Sequence, residues 1–308
     1  VLVDARQGVI EQSRRHTYIA ALLGIPHLVI AVNKMDLVGW SEERFHEIRD
    51  EFESFLPRLE VLRDVKFIPI SALNGDNLVM PSPHTPWYEG PTLLGHLESV
   101  HIASDWNLNG FRLPVQWVNR PHHPTDPRLH DFRGFSGQIA GGIVRVGQKV
   151  MALPSGLVST VKQIWTYDGP RQEAFCPQSV TLVLDDDIDI SRGDMIVREN
   201  NVPETGQDIE VMMCWMSEKP LVPGMKYYLR HTTSEVRAMI KEIVYKVDVN
   251  TLERHPDGKE LRMNEIGRVQ LRTTKPLYYD SYRRNRTTGS IILIEEGTFN
   301  TVGVGMIV

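Results

Sequence analysis

Residues 28–40 read LVIAVNKMDLVGW. Five apolar residues run into Asn33, Lys34, Met35 and Asp36, and apolar residues then resume. A short apolar run bounded by polar residues predicts a buried strand. When such a strand ends in Asn-Lys-x-Asp, an amide, an ammonium and a carboxylate emerge at the carboxyl edge of an open α/β sheet, where ligands bind in such folds. The residue types then specify the ligand. The Asp36 carboxylate can accept two parallel hydrogen bonds from the ring N–H and exocyclic amino group of guanine, a pattern adenine does not offer. Asn33 can both donate and accept, tying neighbouring loops together. Lys34 has an apolar stem long enough to lie along a base plane while its ammonium reaches a ribose oxygen.

The next apolar run, FIPI at 67–70, leads directly into Ser71-Ala72-Leu73. Here the expected contact is the main chain. The Ala72 N–H can donate to the guanine keto oxygen, where adenine carries its own donor, and the Ser71 hydroxyl can stabilise the turn. The candidate guanine site therefore comprises Asn33, Lys34, Asp36, Ser71, Ala72 and Leu73.

From residue 1 to about 104 short apolar runs alternate with longer helical stretches, the signature of a parallel sheet covered by helices. Val1-Leu2-Val3 predicts the end of a buried strand, and Glu11–Leu23 a helix closed by Gly24, with Pro26 beyond it. Ser41 is placed to cap the following helix, whose buried stripe is Phe45, Ile48, Phe52, Phe55 and Leu56. Strands are expected at His27–Val32 and Val65–Ile70. Leu93, Leu94, Leu97 and Val100 suggest a last helix. Beyond about residue 110 helical periodicity gives way to β-branched runs punctuated by Gly, Pro and Asp, which predicts β structure. A break at 200–206 divides this half into two stretches, each the size of a small barrel. The expected fold is thus an α/β domain over 1–106, followed by β-barrel domains over 107–203 and 204–308.

Bulk properties narrow the function class. In 308 residues, 41% are hydrophobic and 24% charged, and the formal net charge is -5. An acidic balance gives no electrostatic reason to bind phosphate backbones, so no nucleic-acid partner is expected. No apolar run reaches the length of a membrane span and none of the first residues resembles a signal peptide, so no membrane partner is expected either. The two cysteines, Cys176 and Cys214, form no metal-spaced pair, in keeping with a reducing, cytoplasmic setting.

VDARQGV at 3–9, NKMD at 33–36 and SAL at 71–73 resemble the later half of a translation-factor-type GTPase domain. One α/β domain followed by two β-barrels is also the layout of elongation factor Tu. Within that superfamily the chain is most similar to the GTPase (large) subunit of bacterial sulfate adenylyltransferase. The resemblance extends through WYEGPTLLGHLE at 87–98, FRGFSGQIAGGIVRVGQ at 132–148, DIDISRGDMIV at 187–197 and RTTGSIILIEEGTFNTVGVGMI at 286–307. It implies GTP or GDP and Mg2+ as cofactors. It also implies a small catalytic subunit as partner, and a role in coupling GTP hydrolysis to formation of adenosine 5′-phosphosulfate from ATP and sulfate. The alternative within the superfamily is a factor that delivers aminoacyl-tRNA; the stretches in the β half argue against it. A scaffold that has lost nucleotide binding is a third reading.

A GTPase also needs a phosphate loop of the form G-x-x-x-x-G-K-[ST], a switch threonine and an Asp-x-x-Gly, all preceding the guanine motif in this superfamily. None occurs here. The nearest lookalike, Gly142 to Lys149, lacks the Gly-Lys-Ser/Thr ending and sits in the β half, where the resemblance implies a barrel hairpin. The phosphate loop, the catalytic residues and the Mg2+ ligands are therefore expected in a segment preceding Val1, and the stretch in hand is expected not to hydrolyse GTP by itself.

Other clusters read as structural. Pro121-His122-His123-Pro124 with His130 and Asp131 fits no zinc scaffold. Asp185 to Asp189 lacks the Gly and terminal Glu of a calcium loop. Arg192-Gly193-Asp194 predicts a tight turn. Tyr278 to Arg286 mixes aromatics with arginines and is expected to form an exposed loop suited to a protein partner rather than RNA. Arg14, Arg15 and His16 begin a helix that could couple nucleotide state to a partner.

Overall fold

The computed structural model describes residues 1–59, 64–100, 107–121, 132–256 and 258–308. They form two compact units, one of residues 1–104 with 248–254, the other of 105–247 with 255–308.

The first unit is a parallel sheet in the order β1 (Leu2–Asp4), β2 (His27–Asn33), β3 (Asp64–Pro69). Helix α1 (Glu11–Leu22) connects the first two strands, and α2 (Glu42–Phe55) the next two. The first helix ends as its sequence predicts. Gly24 takes φ 64°, its N–H donates to the Ala21 carbonyl, and the Ile25 N–H donates to the Ala20 carbonyl. That is a Schellman closure, which a residue with a Cβ would resist. Ser41 caps α2 by accepting from the Arg44 amide at 3.1 Å. The central strand is buried on both faces, as a parallel strand between helices must be. Leu28, Ile30 and Val32 pack with Phe45, Ile48 and Phe52 of α2, while Ala31 on the opposite face packs with Ile68 and Ile70. Trp87 and Tyr88, in a Pro-rich loop at 80–91, rest against Phe45, with ring centroids 5.3 and 6.2 Å away.

The last helix of this unit, α3 (Leu93–Ser99), is capped by Thr92, whose hydroxyl accepts from the Gly95 amide at 3.2 Å. Its inner face differs from the one expected. Positions 93, 96 and 100 point inward and His96 is buried, so Leu94 and Leu97, one position off that line, are exposed.

The second unit holds two antiparallel β bodies. One is a curled half-barrel, running in the order Arg112–Pro114, Met195–Arg198, Lys149–Leu153, Leu157–Thr166, Ser179–Leu184, Gly134–Gln138, Trp117–Asn119. Phe111, Leu113, Phe135, Ile164, Leu182 and Ile196 fill it. Gly137 allows its curl, because a Cβ there would stand 2.3 Å from the Pro114 carbonyl oxygen. The other is a closed six-strand barrel: Lys226–His231, Ser290–Ile294, Thr301–Ile307, Glu204–Trp215, Ile266–Tyr279, Ser234–Val247 and back to the first. Its core is built around Trp215, 1% exposed, which with Met213 occupies space left by Gly303 on the adjacent strand. Among the described residues no helix is long and apolar enough to cross a membrane.

Two expectations are corrected here. Gly142–Lys149 is not a hairpin: Ile143–Arg145 pairs with Glu173–Phe175, whereas Lys149–Leu153 pairs with Leu157–Thr166 and Met195–Arg198, so the turn at Gly147 joins two different sheets. Tyr278–Arg286 is not simply an exposed loop. Its Asp280 and Asn285 are 4% exposed. Asp280 takes a bidentate ion pair from Arg112 of the half-barrel at 3.0 Å, and Asn285 donates to the Ala140 carbonyl at 3.1 Å. Arg14 and Arg15 are held by Glu51 and Glu11 at 2.7 and 2.6 Å. The turn at Arg192–Asp194 forms as expected, with Gly193 at φ 97° and the Asp194 amide donating to Ser191. The histidines at 122, 123 and 130, with Asp131, lie outside the described residues.

Candidate guanine-recognition site

β1 and β2 run parallel with Asp4 opposite Asn33, so both strands end at one level. Beyond Asn33 the chain turns sharply. Lys34 adopts φ 64°, ψ 34°, and a 3-10 turn follows at Met35–Val38. A left-handed backbone is uncommon for a residue with a side chain, and such strain concentrates at functional sites. Two groups hold it here. The Asn33 side-chain oxygen accepts the Lys34 amide at 2.8 Å, and the Met35 amide donates to the Ile70 carbonyl at 3.2 Å. Met35 itself is fully buried, which anchors the turn from below.

The second loop is built on β3. Ser71 is fully buried and its hydroxyl accepts the Asn74 amide at 3.3 Å, while the Gly75 amide donates to the Ser71 carbonyl at 2.8 Å. Gly75 takes φ 86°, which closes the loop. The Ala72 amide then donates to the Asn33 side-chain oxygen at 2.9 Å, across 39 residues of chain. Asn33 thus ties the two loops together, as the sequence suggested. Ala72 differs from expectation: its N–H, expected to face a base oxygen, is engaged by Asn33.

Two groups are left available at this edge. The Asp36 carboxylate is half-buried and accepts no hydrogen bond among the described residues. Leu73 is 88% exposed, an apolar side chain with nothing on it. Lys34 is not free, since its Nζ lies 2.9 Å from Asp4 Oδ2. Asp4, which the sequence reading did not single out, also receives Arg6 through Nε at 3.0 Å and Nη2 at 2.7 Å. The Arg6 guanidinium, first, and Lys34 hold the Asp4 carboxyl well below the usual carboxylate range, against the opposing effect of burial.

An unoccupied acceptor, an exposed apolar side chain and a pinned lysine stem, gathered at the carboxyl ends of parallel strands, suit a flat base with adjacent donors. They offer nothing for phosphate, and among the described residues no group of His, Cys, Asp or Glu is arranged to hold a metal ion. A cavity of about 710 Å3 in the second unit is lined by Gln116, Ser136, Trp165 and Thr233 among others, with no charged residue in its lining.

Residues 1–123 match the Elongation factor Tu GTP binding domain family, and residues 208–308 the GTP-eEF1A C-terminal domain-like family. The whole chain is 53% identical to sulfate adenylyltransferase subunit 1 of Bacteroides fragilis, covering 63% of that protein. The chain belongs to the sulfate adenylyltransferase subunit 1 branch of the elongation factor Tu-like GTPases. It is also 54% identical to the bifunctional enzyme CysN/CysC of Rhodopirellula baltica, covering 46% of its length. The chain therefore spans about half to under two-thirds of the curated relatives it matches. Among solved structures, sup35 complexed with GMPPNP aligns over 99% of the chain and 76% of its own, with a TM-score of 0.59 and 24% identity, a likeness of fold.

Proposed function

We propose that this chain is the base-reading and barrel-bearing part of the GTP-binding subunit of a sulfate adenylyltransferase, in which GTP hydrolysis drives formation of adenosine 5′-phosphosulfate from ATP and sulfate. The carrying observation is the pairing of an unbonded Asp36 carboxylate with two loops locked together by Asn33. A carboxylate fixed at that edge reads the guanine N1–H and 2-amino group, and Lys34 and Leu73 offer stem and side chain to the base faces. With Ala72 N–H on Asn33, the main-chain contact of the second loop holds the loop rather than the base in this state. Ser71 shapes the turn. Hydrolysis of bound GTP would supply the free energy that displaces an unfavourable equilibrium, because a mixed phosphate–sulfate anhydride is a poor product to accumulate. Mg2+ accompanies the nucleotide, and no described residue of this chain is assigned to it.

Coupling of this kind needs a partner that the GTP and GDP forms contact differently. A small catalytic subunit fits that need, since nothing at the described site activates sulfate. Family membership supports a cytoplasmic setting. The domain limits that suit this role are 1–106, 107–203 and 204–308. The test is pyrophosphate release from ATP and sulfate by the full-length protein with its catalytic subunit. GTP is expected to raise it and GDP is not. Equal rates with and without GTP would overturn the reading.

A further inference from the structure

We propose that Asp4 is a positioning residue of the nucleotide site, acting by pinning the Lys34 ammonium so that the lysine stem bridges the ends of β1 and β2. This rests on the reading of that edge as a guanine site.

Lys34 is fixed at both ends. Its amide donates to Asn33 Oδ1 at 2.8 Å and its Nζ to Asp4 Oδ2 at 2.9 Å. Asp4 is the sole carboxylate that the ammonium meets among the described residues. The bridge follows from the strand register: Asp4 lies opposite Asn33 in the parallel pair, so the residue after Asn33 starts one strand away from Asp4 and its four-carbon stem crosses the gap. The carboxylate is itself oriented. Oδ1 accepts the Arg6 amide and Nε, both at 3.0 Å, and Oδ2 takes Arg6 Nη2 at 2.7 Å. The Asp4 side chain is 17% exposed, and its partners keep it ionised throughout the neutral range.

The consequence is preorganisation. An unanchored lysine on an exposed loop must surrender rotamer freedom when a base settles on its stem, whereas one already held at its tip surrenders little. The cluster V-D-A-R ahead of a strand that ends in N-K-x-D thus does more than terminate β1. Asp4 acts through Lys34 and does not touch the nucleotide.

The experiment is a double-mutant cycle in the full-length protein, read as GDP affinity by titration of a fluorescent GDP analogue. Asp4→Asn is expected to weaken binding about three- to tenfold, the range for freeing one long side chain. Asp4→Glu, which keeps the charge, is expected to regain part of that loss. In a Lys34→Ala background Asp4→Asn is expected to have no further effect. Unchanged affinity in Asp4→Asn, or an equal loss with and without Lys34, would overturn the proposal. The second of these results would mark Asp4 as a fold-stabilising residue only. Asp36→Asn in the same assay separates the premise: unaltered GDP affinity there would overturn the guanine reading itself, whatever the cycle returns.

Discussion

The side-chain oxygen of Asn33 accepts the main-chain N–H of Ala72 at 2.9 Å, joining the loop after β2 to the loop after β3. The same oxygen accepts the Lys34 amide at 2.8 Å. One acceptor therefore sets both the left-handed turn and the separation of the two loops that frame the proposed base site. Asn33→Ala removes both bonds, each worth about 0.5–1.5 kcal/mol. The expected outcome in the full-length protein is GDP binding weakened by about tenfold or more, with stability lowered by about 1–3 kcal/mol for the two lost bonds. Titration of GDP beside a melting curve checks both halves.

Arg112 and Asp280 form a buried ion pair, 1% and 4% exposed, at a point where Arg112 also donates to the Asn201 carbonyl at 2.6 Å. Thr288 donates its hydroxyl to Asp280 at 2.9 Å. Removing one partner strands the other charge in a dry environment. Arg112→Met is expected to destabilise the chain by about 3–5 kcal/mol. Adding Asp280→Leu is expected to recover much of that loss, since a buried pair replaced by apolar residues is often neutral. Urea unfolding of the single and double variants measures the difference, and a double variant no more stable than the single would contradict it.

His231 is 2% exposed, with Nε2 2.6 Å from the Thr288 carbonyl. Burial pushes its pKa down, outweighing the carbonyl and the Asp280 charge, which pull it up. The unfolded chain then takes up a proton near pH 6.5 that the folded chain refuses, so stability is full above about that pH and falls as pH drops below it. The expected slope is at most about 1.4 kcal/mol per pH unit from this group. Melting curves between pH 8 and pH 5.5 are expected to show the decline, and His231→Gln to flatten it.

Local features were legible in the sequence. Asn33-Lys34-Met35-Asp36 and Ser71-Ala72-Leu73 each sit within a few residues of the strand that presents them, and Ser41 and Gly24 mark helix ends by their own chemistry. What escaped depends on pairings between distant segments. Arg112 and Asp280 are 168 positions apart and nothing in either neighbourhood names the other. At Gly142–Lys149 the family resemblance implied a hairpin, but the sheet each flanking strand joins is set by distant partners. Asp4 was passed over for the same reason, since its role appears only once β1 lies beside β2. Leu94 and Leu97 misled because an apolar residue on a short helix carries no label for its face.

The central claim is that Asp36 reads the purine, and base exchange tests it most directly. Asp36→Asn in the full-length protein replaces an acceptor with an amide that can donate to the 2-keto oxygen of xanthine and accept from its N1–H. Losing two charge-assisted bonds, about 1.5–3 kcal/mol each, is expected to weaken GDP binding by at least about a hundredfold while xanthosine diphosphate binding improves. A variant that holds GDP as tightly as the parent, and gains nothing for the xanthine nucleotide, would contradict the account.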